Sequence, residues 1–400
     1  PLLKLMDSED TIAGIVYGLF RDSYMRKAVD LYYFAQHYMV CKGKIRQAEP
    51  AYLLLSQTQG GFPRYGFYLL SGDTILDKSE VPYIDLVKNN PNPENELGSM
   101  TQIYPHEMGH VLYRLLSEDS DSLIPGGVDI HYSTLTTDYG TAFNEGFAMH
   151  FENMARTFDP DEERKAAIAA DYSEKKKDLR HKISAFERDF TWPLRFGFYR
   201  LSMLLWYQHF EDIKRFEWVK ENKMKYANAA DLFKDPEKSL FFRNSGIRHT
   251  SSIRPVQQAL ATEGVIASFY FGLMQSEAKN IYRENEFYTP FLPDCDTSGP
   301  ALQKSIDPID NQYMKIFEVL HHHVNRSLST HSQLLDFVSG YILRNPEEEA
   351  VVKRVFHEAT GYDYPLDPGR AIWITNPDHE HCMLVMDQTG GISVPYYTFN

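Results

Sequence analysis

The sequence predicts an α+β protein, predominantly helical, built as two lobes. Residues 1–158 form a lobe with a small sheet and a metal-binding helix; residues 159–400 form a mainly helical C-terminal lobe that closes a cleft. Three observations carry this reading. Ala51–Ser56, Tyr65–Leu70 and Val81–Val87 are short aromatic or β-branched runs separated by Gly, Pro and Asp, the pattern of strands joined by turns. Apolar residues recur at helical spacing before and after that section. Between the two, His106-Glu107-Met108-Gly109-His110 sits in an apolar stretch.

Taken in order, residues 9–40 read as one long helix, with Ile12, Ile15, Val16 and Leu19 opening its apolar stripe and Val29, Tyr32, Tyr33 and Gln36 continuing it. The three strands follow. Asn89–Glu96 reads as a Pro/Asn-rich loop leading into the helix of His106. Pro105 fits a first helical turn. Residues 117–135, with Pro125-Gly126-Gly127, His131 and Tyr132, read as a loop beside the cleft. Asp161–Asp189 reads as a solvated helix with pairs such as Asp161 and Lys165 at i,i+4 spacing. An apolar helix restarts at Pro193, and helical patterns cover about 254–283 and 308–343. Ile372–Thr375 and Met383–Met386 predict a short strand pair.

The chemistry lies in the His106–His110 segment. Histidines at i and i+4 stand on one helix face, so both imidazoles reach a single metal ion, with Glu107 angled toward a bound water. Ile103, Tyr104, Met108, Val111, Leu112, Leu115 and Leu116 surround them. Charged groups inside so apolar a helix are costly unless paired or metal-bound. Downstream, Asn144-Glu145-Gly146-Phe147-Ala148 reads as a second buried helix offering Glu145 as a third ligand. Glu263, in Ala261-Thr262-Glu263-Gly264, is a competing candidate. The extended three-histidine pattern is excluded, because Tyr113 and Leu116 stand where it needs glycine and histidine. Cys41, Cys295 and Cys382 provide no fitting cysteine ligand.

His106–His110 together with Asn144–Glu152 resembles the gluzincin zinc metallopeptidases, the zinc aminopeptidase and thermolysin-like group. That resemblance rests on residues 100–155 and implies a zincin-like lobe holding one Zn²⁺ through His106, His110 and Glu145, with Glu107 as general base toward a peptide or protein substrate. It further implies that Glu152 supports a zinc histidine, that Asn144 positions the helix or cleft, and that a strand at 65–70 or 81–87 pairs with the substrate backbone. An oxyanion donor would come from the C-terminal lobe, with Tyr199, Tyr207, His209 and His249 as candidates; Arg248 and Arg254 are candidates for a substrate carboxylate. The exopeptidase signature Gly-Ala-Met-Glu-Asn is absent, so endo- and aminopeptidase action both stay open. So do a non-peptidase zinc hydrolase and a non-catalytic binding module with a retained zinc site. His321-His322-His323 and Asp378–Cys382 lack the spacing for a shared ion and read as surface features.

Composition bounds the rest. A net charge of −14 disfavours nucleic acid, which requires a basic footprint. Hydrophobic content of 43% and aromatic content of 14% indicate a folded globule. No apolar run is long enough to span a bilayer. Three widely spaced cysteines predict no disulfide framework. Compartment stays open, with a secreted or periplasmic location allowed if an N-terminal signal has been removed.

Overall fold

The computed structural model describes residues 1–56, 61–87, 93–117, 138–167, 170, 256–293, 305–326, 331–366, 371–376, 379–386 and 392–393. The expected loop at 118–135, with His131 and Tyr132, lies outside them, as does the helical stretch expected from 171 through 207. The described chain is mostly helical with a small mixed sheet, as an α+β protein requires. It clusters into two compact units that interleave along the sequence. The first holds Pro1–Glu118, His150–Ile168 and Asn280–Glu318; the second holds Asp119–Met149, Ala169–Lys279 and Val319–Asn400.

In the first unit the expected long helix is two helices, α1 (Thr11–Asp22) and α2 (Tyr24–Cys41). Ser23 separates them. Its backbone is extended, at φ −135° and ψ 177°, and its hydroxyl accepts from the Met25 amide at 3.1 Å. One residue thus ends α1 and caps α2. Apolar spacing runs straight through such a break, which is why it reads as continuous. α2 buries Tyr24, Met25, Ala28, Leu31, Tyr32, Ala35, Tyr38 and Met39, a stripe at i, i+3, i+4 and i+7 spacing.

The sheet forms as predicted, from β2 (Tyr52–Ser56), β3 (Phe62–Ser71) and β4 (Thr74–Val87), with β1 (Leu2–Lys4) added at one edge. Its order is β1-β3-β4-β2. β3 and β4 are an antiparallel hairpin, and β1 and β2 pair parallel to β3 and β4. A bulge falls at Gly66, whose φ of +84° is left-handed and where a Cβ would stand 2.7 Å from the Ser79 carbonyl. Phe67, Leu69, Val81 and Tyr83 form the core of one sheet face. The substrate-pairing role expected of strands 65–70 or 81–87 meets an obstacle. Residues 68–70 pair with both β1 and β4, and 83–85 with both β2 and β3, whereas Tyr65 and Phe67 pair only with β4; the edges of the sheet are β1 and β2.

α3 (Pro93–Leu115) follows the sheet, contacts β3 and β4 on one side and packs on α2 on the other. The Phe20 and Tyr104 rings meet edge to face at 4.7 Å. Pro105 does not begin this helix, as its sequence position suggests, but lies inside it. The helix takes in Pro93–Glu96 from the expected loop, so its first turn is formed well upstream. Pro105 has no N–H to donate to the carbonyl four residues back, which weakens the ladder just before His106.

In the second unit, α5 (Val256–Leu260) leads to α6 (Glu263–Gln275), which is buried on nearly every side, as its continuous apolar sequence demands. Phe269 and Tyr270 pack edge to face on Phe337 of α9 (Gln333–Arg344), and Phe269 reaches Phe356 of α10 (Glu349–Thr360). The C-terminal strand pair appears as β5 (Ala371–Asn376) and β6 (His379–Met386), joined by β7 (Ile392–Ser393). In sequence, α7 (Asn285–Tyr288) and α8 (Pro308–His322) lie between α6 and α9; α7 and α8 as far as Glu318 belong to the first unit. The expected solvated helix after Asp159 is present over 162–167, but Asp161 caps it by accepting the Glu163 and Arg164 amides, and Lys165 pairs with Glu162 instead.

Cys41 is disulfide-bonded, contrary to the expectation from cysteine spacing. Spacing in sequence does not report distance in the fold. Lys27 of α2 pairs with Asp310 of α8 at 2.7 Å. Burial outweighs the attraction of Lys27 and raises the Asp310 carboxyl from 3.8 to about 6. The folded chain therefore binds a proton that the unfolded chain releases. This group's contribution to stability is largest below its unfolded value and declines as pH rises through about 6. Urea unfolding between pH 4 and 7 should show that decline in the parent, on the order of 2–3 kcal/mol, and its absence in Asp310→Asn.

Candidate metal centre

Two helices build the site. α3 supplies His106, Glu107 and His110; α4 (Tyr139–Phe158) supplies Glu145 and Glu152. α4 starts where it does because Asp138 caps it, accepting the Thr141 amide at 2.8 Å and the Thr141 hydroxyl at 2.6 Å. Burial pushes the Asp138 carboxyl up, and those two hydrogen bonds pull against the shift. The cap is a short-range signal that the sequence carried in Asp138 and Thr141 and that the motif reading passed over.

Gly146 sets how closely α4 approaches its neighbour. A Cβ there would stand 2.5 Å from Ile266 Cβ and 2.6 Å from the Glu263 carbonyl of α6, so only glycine permits the contact. Phe143 and Phe147 flank it and pack edge to face on Tyr270. The glycine that follows Glu145 is thus a packing requirement. Lower on α4, Phe151 stacks on Tyr313 of α8, and His150 meets the Tyr313 hydroxyl at 2.9 Å.

Ligand atoms of His106, His110 and Glu145 all lie within 4.8 Å of one another. Among the described residues this is the one cluster of three or more metal-ligating side chains. The Nε2 atoms of His106 and His110 are 3.2 Å apart. Two nitrogens bound tetrahedrally to one zinc would be ~3.3 Å apart, given Zn–N of ~2.0–2.1 Å. On the other side of the ring, His106 Nδ1 lies 2.7 Å from Glu152 Oε1. A carboxylate at that distance would favour the tautomer with its proton on Nδ1, leaving Nε2 for a metal. Glu152 is seven residues beyond Glu145 and so shares its helix face. The structure thereby brings it to the place the resemblance implied.

His106, Glu107 and Glu152 are buried, whereas His110 and Glu145 are half-exposed. The cluster therefore has an apolar, charge-bearing interior and one face open to solvent. Buried carboxylates and imidazoles are costly without a counter-charge, and a divalent cation fits this donor set. Glu263 is fully buried beside Gly146 but stands outside the cluster. His321 is buried, against its reading as a surface residue, while His322 is exposed as expected and His323 accepts from Arg344 Nε at 2.9 Å. Tyr199, Tyr207, His209, His249, Arg248 and Arg254 lie outside the described residues. No protein family, no curated protein and no solved structure matches the chain.

The Glu152 contact makes a direct prediction. Glu152→Ala should weaken metal binding about 10- to 100-fold, read by competition with a chromophoric chelator. Unchanged affinity would make the carboxylate irrelevant to His106.

Proposed function

We propose that the chain is a zinc-dependent metallopeptidase of the gluzincin kind, with His106, His110 and Glu145 as ligands and Glu107 as general base. The observation that carries the reading is the combination of a three-residue ligand cluster, a carboxylate fixing His106, and the buried Glu107 next to His106 in the chain. An idle metal site has no need of a buried base at that position.

Bound there, a zinc ion would supply a Lewis acid that polarises a carbonyl and lowers the pKa of water toward ~7. The rest belongs to the chain. Glu107 takes the proton of the attacking water on its carboxylate and delivers it to the leaving nitrogen. Glu152 keeps His106 in the Nδ1–H form throughout. The burial of Glu107 restricts bulk water and strengthens these charge interactions. The substrate is a peptide or protein. Among the described residues no helix is long and apolar enough to cross a membrane. The Cys41 disulfide supports a working compartment that is oxidising.

Glu107→Gln tests the assignment. It should lower kcat for peptide hydrolysis at least ~10²-fold, the usual range of general-base loss, while retaining the metal at the parent's stoichiometry. Hydrolysis at the parent rate in that variant would remove Glu107 from the chemistry.

A further inference from the structure

Between Met100 and Leu115 of α3, Arg114 is the one exposed residue. His110 is half-exposed, Arg114 is exposed, and Val111, Leu112, Tyr113 and Leu116 around them are buried. His106, His110 and Arg114 follow at i, i+4 and i+8, so the metal ligands and the guanidinium share one helix face. Arg114 stands one turn beyond His110, ~6 Å along the axis.

The guanidinium is held in place. Its central carbon lies 3.8 Å from the centroid of the Tyr65 ring of β3, a close cation–π stack. Burial raises the Tyr65 hydroxyl to about 12, so the ring presents a neutral face. Several other arginines pair with carboxylates, Arg26 with Asp30, Arg64 with Asp85, Arg164 with Asp159 and Arg354 with Glu277, while Arg326 donates to the Leu320 carbonyl and Arg344 to the His323 ring. Arg114 has no carboxylate partner among the described residues, in a chain whose acids outnumber its bases by 55 to 41. A cation in the last turn suits the helix dipole, but that does not account for a planar group fixed on a tyrosine with its N–H fork left open.

We propose that Arg114 is a specificity determinant of the metal centre, selecting peptides that carry a carboxylate about two residues from the bond to be cut. The inference rests on the peptidase reading above. The spacing follows from one helix turn against ~3.3 Å per residue of extended peptide. A carboxylate, from an acidic side chain or from a peptide C-terminus, satisfies the guanidinium fork through two parallel hydrogen bonds.

The test uses fluorogenic peptides that differ only by Glu against Gln at successive positions on either side of the scissile bond, and by C-terminal acid against amide. The parent should favour one carboxylate member about tenfold or more in kcat/KM; which arm shows the preference separates side chain from terminus. Arg114→Met should abolish the preference. Arg114→Lys, which keeps the charge without the fork, should retain part of it. Binding of the same peptides to Glu107→Gln, followed by fluorescence anisotropy, should show the same order without turnover. Equal rates for carboxylate and amide members, or a preference that survives Arg114→Met, overturns this inference and leaves the peptidase reading standing. Failure of the parent to cut, together with failure of Glu107→Gln to bind any member, overturns both.

Discussion

The close contact of His106 with Glu152 is the interaction on which the candidate centre depends. It buries an imidazole and a carboxylate on facing sides of two helices, and neither group tolerates that environment alone. The ion-pair contact of the two groups answers part of that demand, and a cation at Nε2 would answer the rest. The position of α4 is therefore tied to that of α3 by charge. The cap at Asp138 and the glycine contact at Gly146 bring Glu145 to the same place from the other end of the helix. Each of these features is local, and each is needed for three ligand atoms to meet.

How much of this was legible follows from the range of the signals. The His106–His110 pair, Glu107 and the Glu145–Glu152 spacing are relations within one helix, where sequence separation converts directly into geometry. The strands read at 51–56, 65–70 and 81–87 were legible because their runs are bounded by Gly, Pro and Asp, whereas residues 74–80, the first half of β4, were not legible as strand. Strand order was not. Parallel pairing of β2 with β4, and of the N-terminal residues with β3, is set by contacts far apart in sequence, and it makes β1 and β2 the edges of the sheet. Ser23 escaped notice because a polar residue within an amphipathic pattern marks a break only through its backbone angles. Pro105 misled for the opposite reason: proline is common at helix starts, yet α3 had already formed upstream. The disulfide at Cys41 depends on folded proximity, which spacing along the chain does not encode.

Arg114 belongs to this second kind of information. Its place on the face of His106 and His110 is readable from the numbering alone. Its fixation on Tyr65 is not, because the partner comes from a strand on the far side of the 88–92 segment. What makes the residue informative is a guanidinium fixed on Tyr65 with no carboxylate partner among the described residues, on the helix that carries His106 and His110.

The central claim is that one zinc ion is held by two imidazoles and a carboxylate from α3 and α4. X-ray absorption at the zinc edge, on protein dialysed free of loose metal, tests it most directly. The account predicts one zinc per chain, with nitrogen and oxygen donors at ~2.0–2.1 Å, outer scattering from two imidazole rings, and loss of the metal in Glu145→Ala. A parent chain that retains no zinc, or zinc with sulfur or with a single imidazole in its shell, would contradict it.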